Sequence, residues 1–411
     1  MKRELLKPGL FCLVAALAVF FSSALAGQAR ESLSLRDLVA YGPGQAVAGE
    51  IIVKFKPGVR ASAIEAINRA QGTAALYRSP FAGFLRLRLP AGRSIVQMLA
   101  AYRRLPQVEY AEPNFLRYAL MFPNDPYYPY QWHMDDSVWP AGPNSYGGAN
   151  GGGINVEPAW NISTGTGVVV AVIDTGIAYE NYSEGTKKYY QAPDLAQTNF
   201  VPGYDFVNND SHPNDDNSHG THVAGTIAQS TNNSRGVAGV AFGASLMPVK
   251  VLNANGSGTD AEVADGIYFA ANNGAQVINL SLGGPGSSTT LENAVAYAYQ
   301  QGITIVCAAG NEGDGLNWPS YPAAYDAYCI AVAATRYDET RSYYSNYGSY
   351  IDLAAPGGDN TVDQNGDGYA DGVLQNTFNP YTRNTRDFGY WFFQGTSMAS
   401  PHVAGVAALL V

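Results

Sequence analysis

Apolar positions along the chain follow two rhythms. Between residues 49 and 114, EIIVKF and GFLRLRL place an apolar residue at every second position, the spacing of a strand with one buried face. ASAIEAINRAQG and SIVQMLAAYRRL repeat apolar residues every three or four, the spacing of an amphipathic helix. QVEYAE adds a short strand and residues 74–77 a weak one. The order β-α-β-α-β with one extra strand predicts a small α+β sandwich of ferredoxin-like type. Turn formers then take over in FPNDPYYPYQWHM, and glycine in GPNSYGGANGGGIN, which reads as a surface loop.

Beyond that loop the apolar runs no longer alternate. GVVVAVIDTG, SLMPVKVLN, AQVINLSLGG, ITIVCAAGNEG and CIAVAATR are nearly continuous and rich in β-branched residues. Between them lie the helical patterns THVAGTIAQ, DAEVADGIYFAANNG and TLENAVAYAYQQG. Strands apolar on both faces, separated by helices, predict an α/β fold with a mostly parallel sheet covered on both sides. In such folds active groups gather at the carboxyl ends of the strands, where Asp174, the glycines of SLGG and Asn311 fall.

Composition narrows the function. With 46% hydrophobic and 14% charged residues over 411 positions, a large core can form. A net charge of −10 argues against nucleic acid as a partner, since phosphates need a basic face. Lys2, Arg3 and Lys7, the apolar residues 9–21 and the small residues Ser23, Ala24 and Ala26 predict an export signal cut after Ala26, with an uncleaved anchor as the alternative. The expected organisation is a signal peptide over 1–26, a leader over 27–119 with its core at 49–114, and a large α/β domain over 120–411. Cys12 leaves with the signal. Cys307 and Cys329 lie in strand-like runs, where either two buried thiols or a disulfide is compatible with export.

Three stretches carry candidate chemistry. AVIDTG puts Asp174 at a strand end, NSHGTHVAG puts His219 at a helix start, and GTSMASPHVAG does the same for Ser397. A serine hydroxyl attacks a carbonyl only when a base takes its proton. Histidine is such a base near neutral pH, and an aspartate can hold its tautomer. Asn311, between glycines after a buried strand, can stabilise the oxyanion that acyl transfer creates. Taken singly, Asp174 could be a turn residue, Ser397 a helix cap and Asn311 a turn former. His219 and His222, three residues apart, could instead suggest a metallohydrolase, but helical metal pairs are usually four apart.

With all three motifs in the order Asp, His, Ser, residues 123–411 resemble the secreted subtilisin-type serine proteases, the subtilases, and within them the thermitase-like branch. The resemblance implies a subtilisin-like sheet and an acyl-enzyme mechanism. Asp174, His219 and Ser397 would form the triad and Asn311 the oxyanion hole. It makes His222 a structural, hydrogen-bonded residue, while His402 reads as packing on the serine-bearing helix; His133 and His212 carry no clear signal. It makes residues 49–114 a propeptide that chaperones and inhibits, with autoprocessing expected between Tyr118 and Asn124. Polypeptide substrates would lie between two strands that include Ser281, Leu282, Gly283 and Gly284 on one side and Gly256, Ser257 and Gly258 on the other. Ser320 would sit near the pocket floor and Glu312 at its rim.

In the family the serine helix runs on and more helices follow, so the stop at Val411 implies an incomplete C-terminus. An inactive or propeptide-locked binding protein is the alternative reading. The mature enzyme is expected to be a secreted monomer. Structural calcium is expected at three places. Asp125, Asp194 and Asn233 resemble the family's tight site, and Asp205, Asn208, Asp210 and Asn214 a second loop. Asp363, Asn365, Asp367 and Asp371 follow D-x-N-x-D-G spacing, with Leu374 where an EF-hand has its closing glutamate. Solvated acidic turns are the plainer reading of all three.

Overall fold

The computed structural model describes residues 46–115, 122–134 and 152–411. The chain forms two compact units that divide between Arg117 and Tyr118. The expected leader cut at Ala26 and Cys12 lie outside the described residues, as do 118–121 of the expected processing segment.

The first unit runs β1 (Ala46–Phe55), α1 (Ala61–Gln71), β2 (Ala74–Arg78), β3 (Leu85–Arg88), α2 (Ile95–Arg103) and β4 (Val108–Phe115). The strands pair antiparallel in the order β2-β3-β1-β4, a βαββαβ sheet in which the weak strand is β2. Alternation decides its buried face: Ile51, Val53 and Phe55 of β1 and Leu85 and Leu87 of β3 meet Met98, Leu99 and Tyr102 of α2 in one core. A capping box starts α2, with Gln97 N–H donating to Ser94 Oγ and Ser94 N–H to Gln97 Oε1, both 3.2 Å.

The second unit is built on β5 (Val169–Asp174), β10 (Ser245–Lys250), β11 (Val277–Leu280), β12 (Thr304–Ala308), β13 (Ile330–Thr335) and β14 (Leu353–Pro356). Before β10 come the short helix α3 (Glu157–Trp160), the small hairpin β6 (Tyr182–Glu184) and β7 (Lys187–Tyr189), and the two-residue strands β8 (Asn199–Phe200) and β9 (Tyr204–Asp205). The sheet order is β14-β13-β12-β11-β5-β10-β8, with β9 also on β10, and every pairing in it is parallel.

Continuous apolar strands feed two cores at once. From β5, Val170 and Val172 join the core that holds α4 (His219–Ala228) and α7 (Thr396–Leu410). Ala171 and Ile173 join the core of α5 (Asp260–Asn272) and α6 (Thr289–Gln300) on the opposite face. An antiparallel hairpin, β15 (Val373–Phe378) with β16 (Phe388–Phe393), leads through Gln394 and Gly395 into α7. The doubly covered parallel sheet and the small antiparallel leader sheet both agree with the expected architecture.

Candidate active site

Asp174 is the last residue of β5 and is fully buried. Its Oδ1 lies 2.8 Å from His219 Nδ1 and also accepts the Thr175 amide hydrogen at 2.7 Å. With the carboxylate ionised, Nδ1 carries the hydrogen, so Nε2 faces away as a proton acceptor. Burial alone would lower the imidazole pKa. The charge and hydrogen bond of Asp174, with a smaller contribution from the charge of Asp215, outweigh it and raise the pKa above the ordinary value of 6.5.

The delivery of His219 is built locally. Ser218, the residue before α4, has φ 96°, a conformation that costs a non-glycine residue about 1–3 kcal/mol. It is held by Asp215 Oδ1 accepting its amide hydrogen at 3.1 Å and by Thr377 Oγ1 donating to its carbonyl at 2.8 Å. Gly220 is obligatory, because a Cβ there would lie 2.2 Å from the Gly176 carbonyl oxygen. Thr175 Oγ1 accepts the Gly220 amide hydrogen and donates to the buried Asp215, both at 2.9 Å, tying the aspartate strand to the histidine helix. Beneath them the fully buried Lys250 donates to the Thr175 carbonyl (2.6 Å), the Leu252 carbonyl (2.9 Å) and Asp216 (2.8 Å).

Ser397 opens the first turn of α7. Pro401, four residues on, has no amide hydrogen to give the Ser397 carbonyl. Ser281 Oγ fills that place at 2.8 Å. Asn279 Nδ2 in turn donates to Ser281 Oγ at 2.9 Å, and Ser400 Oγ donates to Asn279 Oδ1 at 2.8 Å. This buried chain fixes the turn that carries Ser397 against the end of β11. The Ser397 hydroxyl itself donates to the Ser281 carbonyl at 3.1 Å. Ser397 and His219 line one groove of about 690 Å³.

Asn311 follows β12 and is exposed. Its Oδ1 accepts from Thr396 N at 2.9 Å and from Thr396 Oγ1 at 3.0 Å, which leaves its amide hydrogens uncommitted to Thr396; the side chain lies beside Gly395, two residues before Ser397, and is not among the residues that line the groove. The buried Thr396 therefore orients Asn311. Nothing in the sequence distinguishes it from any other small residue before the serine. Glu312 accepts hydrogen bonds from the Asn311 amide and from Asn346 Nδ2, both at 3.0 Å, and does not line the groove.

The groove is lined by Ser281, Leu282, Gly283 and Gly284 and by Asn255, Gly256, Ser257 and Gly258, which the structure brings together with His219 and Ser397. Neither stretch is a strand here, unlike the expectation, because neither has a ladder partner. The one pairing is an isolated bridge from Gly284 to Tyr321. Gly283 is demanded by packing, since a Cβ would lie 2.3 Å from Ser320 Oγ. Ser320 is buried behind this glycine, and its neighbour Tyr321 reaches the groove instead. Asn217, Leu252 and Tyr321 also line it and carry no sequence signal of their own.

The remaining histidines are structural in different ways. His222 Nε2 lies 3.0 Å from the Val373 and Trp391 carbonyls, with its ring stacked on Phe393. His402 Nδ1 bonds the Met398 carbonyl at 2.8 Å, and its Nε2 is 2.7 Å from Nδ1 of the buried His133. His212 pairs with Glu180 at 2.9 Å. Cys307 and Cys329 are buried free thiols, and burial beside Cys329 pushes the Cys307 thiol upward.

Of the expected calcium positions, one is assembled from distant segments. Asn233 Nδ2 bonds Asp194 Oδ1 at 2.8 Å, while Asp125 accepts the Asn232 and Asn233 amide hydrogens at 2.8 and 3.2 Å. Both carboxylates are buried, and burial pushes Asp194 up to about 6, with the charge of Asp125 adding to it. Two buried carboxylates without a cation suit a hard divalent ion. Asp205 instead receives the Val207 and Asn208 amides and Asn208 Nδ2, all at 2.8 Å, and Asn214 turns to Glu180 at 2.9 Å. Among the described residues no three His, Cys, Asp or Glu side chains form a ready-made metal cluster.

Comparison with known proteins places this geometry. Residues 165–411 match the model of the subtilase family, and residues 38–114 that of the fervidolysin N-terminal prodomain. The chain is 39% identical over 376 residues to a thermophilic serine proteinase of Bacillus sp. (strain AK1), covering 90% of this chain and 80% of that protein. It is 41% identical over 288 residues to thermitase of Thermoactinomyces vulgaris, covering 70% and 85%. A solved protease from Pseudoalteromonas arctica superposes with a TM-score of 0.58 at 39% identity, over 71% of this chain and 87% of that one. The paired Asp174 and His219, the serine helix and the leader sheet thus lie on one line of descent: the chain belongs to the subtilase family, a subtilisin-type serine endopeptidase with an N-terminal prodomain.

Proposed function

We propose that Ser397 is the nucleophile, His219 its general base and Asp174 the residue that orients and charges that base. The observation that carries this reading is the 2.8 Å bond from His219 to the buried Asp174, with Ser397 lining the same groove. Attack begins when the Ser397 hydroxyl turns from the Ser281 carbonyl to His219 Nε2, which takes its proton as Oγ adds to the scissile carbonyl. The Asn311 amide and the Ser397 backbone N–H, at the first turn of α7, stabilise the oxyanion. His219 returns the proton to the leaving amine, and water then repeats the sequence on the acyl-enzyme. Substrate lies extended along 281–284 and 255–258, adding the strand partner these stretches lack. A fluorophosphonate should label the folded protein at Ser397 and leave Ser397→Ala unlabelled; an unlabelled parent would sink the assignment.

The raised His219 pKa sets a direction with pH. The base must be neutral to act, so activity falls as pH drops through that pKa, and the acid limb of kcat/KM lies above 6.5. Asp174→Asn removes the charge that holds the pKa up, so burial then moves the limb downward. A pH–rate profile of both proteins checks the sign.

The leader acts as inhibitor and chaperone, and the precursor cuts itself between Tyr118 and Asn124. N-terminal sequencing should find the parent cut there and Ser397→Ala intact. Secretion rests on the positively charged, apolar and small-residue pattern of residues 2–26, and among the described residues no helix is long and apolar enough to cross a membrane. Calcium fits the Asp125, Asp194 and Asn233 group as a structural ion, with carboxylate and amide oxygens as ligands. At 100 times its dissociation constant such an ion adds about 2.7 kcal/mol, or about 4 °C in Tm for a unit of this size. Thermal unfolding of Ser397→Ala protein in EDTA and in millimolar calcium measures this, and Asp194→Asn should remove most of the difference.

A further inference from the structure

The loop between β14 and β15 contains two buried oxygen atoms with no donor. Asp371 is 1% exposed and its Oδ1 has no hydrogen-bond partner; the same holds for Oε1 of Gln364, seven residues earlier. The other carboxylate oxygen, Asp371 Oδ2, accepts the Gln364 amide hydrogen at 2.5 Å, so the group is turned into the loop. Asp363 and Asp367 are its charged neighbours in the loop. Two nitrogens of Arg336 pair elsewhere, with Asp338 at 3.2 Å and Asp359 at 3.8 Å, and its Nε has no hydrogen-bond partner. Buried acceptors without a donor cost stability, and a cation supplies what a donor would.

We propose that residues 363–371 form a site for a hard divalent cation, calcium, with side-chain oxygens of Asp363, Asn365, Asp367 and Asp371 as its ligands. The loop is already shaped for this. Asp363 accepts the Gly366 amide at 2.7 Å and the Gly368 amide at 3.1 Å; Asn365 Oδ1 accepts from Asp367 N at 2.9 Å and Asp367 Oδ1 from Tyr369 N at 2.8 Å. Each carboxylate has about four acceptor positions, so these bonds leave lone pairs for an ion. Calcium suits such a set better than magnesium, because it takes six to eight oxygens in flexible geometry. The site also reaches the catalytic unit. Asp371 pairs with Asp359, and the next residue, Asn360, donates its amide hydrogen to Gln394 Oε1 at 2.6 Å and from its side chain to the Phe392 carbonyl at 3.1 Å. An ion that holds 363–371 therefore stiffens the end of β16 and Gln394, which lead into the helix that carries Ser397, a consequence that rests on the proposed role of that serine.

Metal binding is read without turnover, so it stands or falls apart from the triad. Full-length Ser397→Ala protein, stripped with EDTA, is titrated with calcium by calorimetry beside the same protein carrying Asp371→Asn or Asp367→Asn. The parent should bind about one equivalent more than either variant, the Asp125 and Asp194 group remaining intact in all three. Terbium excited through tyrosine gives a second readout: Tyr369, inside the loop, should act as its antenna, so Tyr369→Phe dims the signal while calorimetric stoichiometry stays the same. Equal calcium stoichiometry in the parent and in the Asp367→Asn protein, which keeps the buried Asp371, would overturn the proposal. So would terbium emission indifferent to both Asp371→Asn and Tyr369→Phe.

Discussion

Ser397→Ala is expected to lose about 10⁶-fold in kcat on a peptide substrate with little change in KM, the size of loss established for the triad of subtilisin itself. The reason lies in the pairing of roles. Oγ is a weak nucleophile without His219, and His219 has nothing to deprotonate without Oγ, so the two act as one unit. His219→Ala should therefore cost about as much, and the double variant no more than either alone. Asp174→Asn should cost less, about 10⁴-fold, because a neutral amide can still bond Nδ1 at the 2.8 Å now seen but favours the wrong tautomer and cannot stabilise the imidazolium. Single-turnover and steady-state kinetics on the processed proteins decide this. Additive losses in the double variant, or a Ser397→Ala protein retaining a hundredth of the activity, would exclude the mechanism. The variants should be processed in trans by active enzyme, so that failure of self-cutting is not mistaken for failure of catalysis.

Asn311→Leu is expected to cost about 10²–10³-fold in kcat with KM nearly unchanged, again the magnitude known for the corresponding donor in subtilisin. The amide donates to an oxygen that is negative only in the transition state, so its loss leaves ground-state binding intact. Thr396→Val tests the orientation of that amide. Removing the hydroxyl takes away one of the two bonds that hold Asn311 Oδ1 and leaves the 2.9 Å bond from the Thr396 backbone. A loss of about tenfold in kcat fits one charge-free hydrogen bond of about 1 kcal/mol. If the Asn311→Leu effect fell on KM instead, the residue would bind substrate rather than stabilise the oxyanion.

Much of this was legible along the chain because it depends on near neighbours. Strand alternation, helical spacing and turn residues are short-range properties, and they placed β1 to β4, the parallel strands β5 and β10 to β13, and the helices that carry His219 and Ser397, but not β8, β9 or β14. Asp174, His219 and Ser397 were legible for the same reason, each sitting in a distinctive run of small residues at an element end. What the sequence could not decide is which side chains meet across the fold. The weak strand at residues 74–78 gains its place only by pairing with β3. The groove stretches look like strands by composition, but a strand exists only with a ladder partner, and here the partner would be substrate. Glu312 turned to Asn346, because the nearest donor satisfies a carboxylate more cheaply than a distant partner does. His133, silent in the sequence, became the buried partner of His402, 269 positions away. The missing hydrogen bond at Pro401 could be read from one letter, yet only the packing of β11 against α7 decided that Ser281 would supply it. Periodicity and local motifs determined the elements and the candidate catalytic residues; long-range packing alone decided their second partners, since a hydrogen bond between residues far apart leaves no pattern in either stretch of chain.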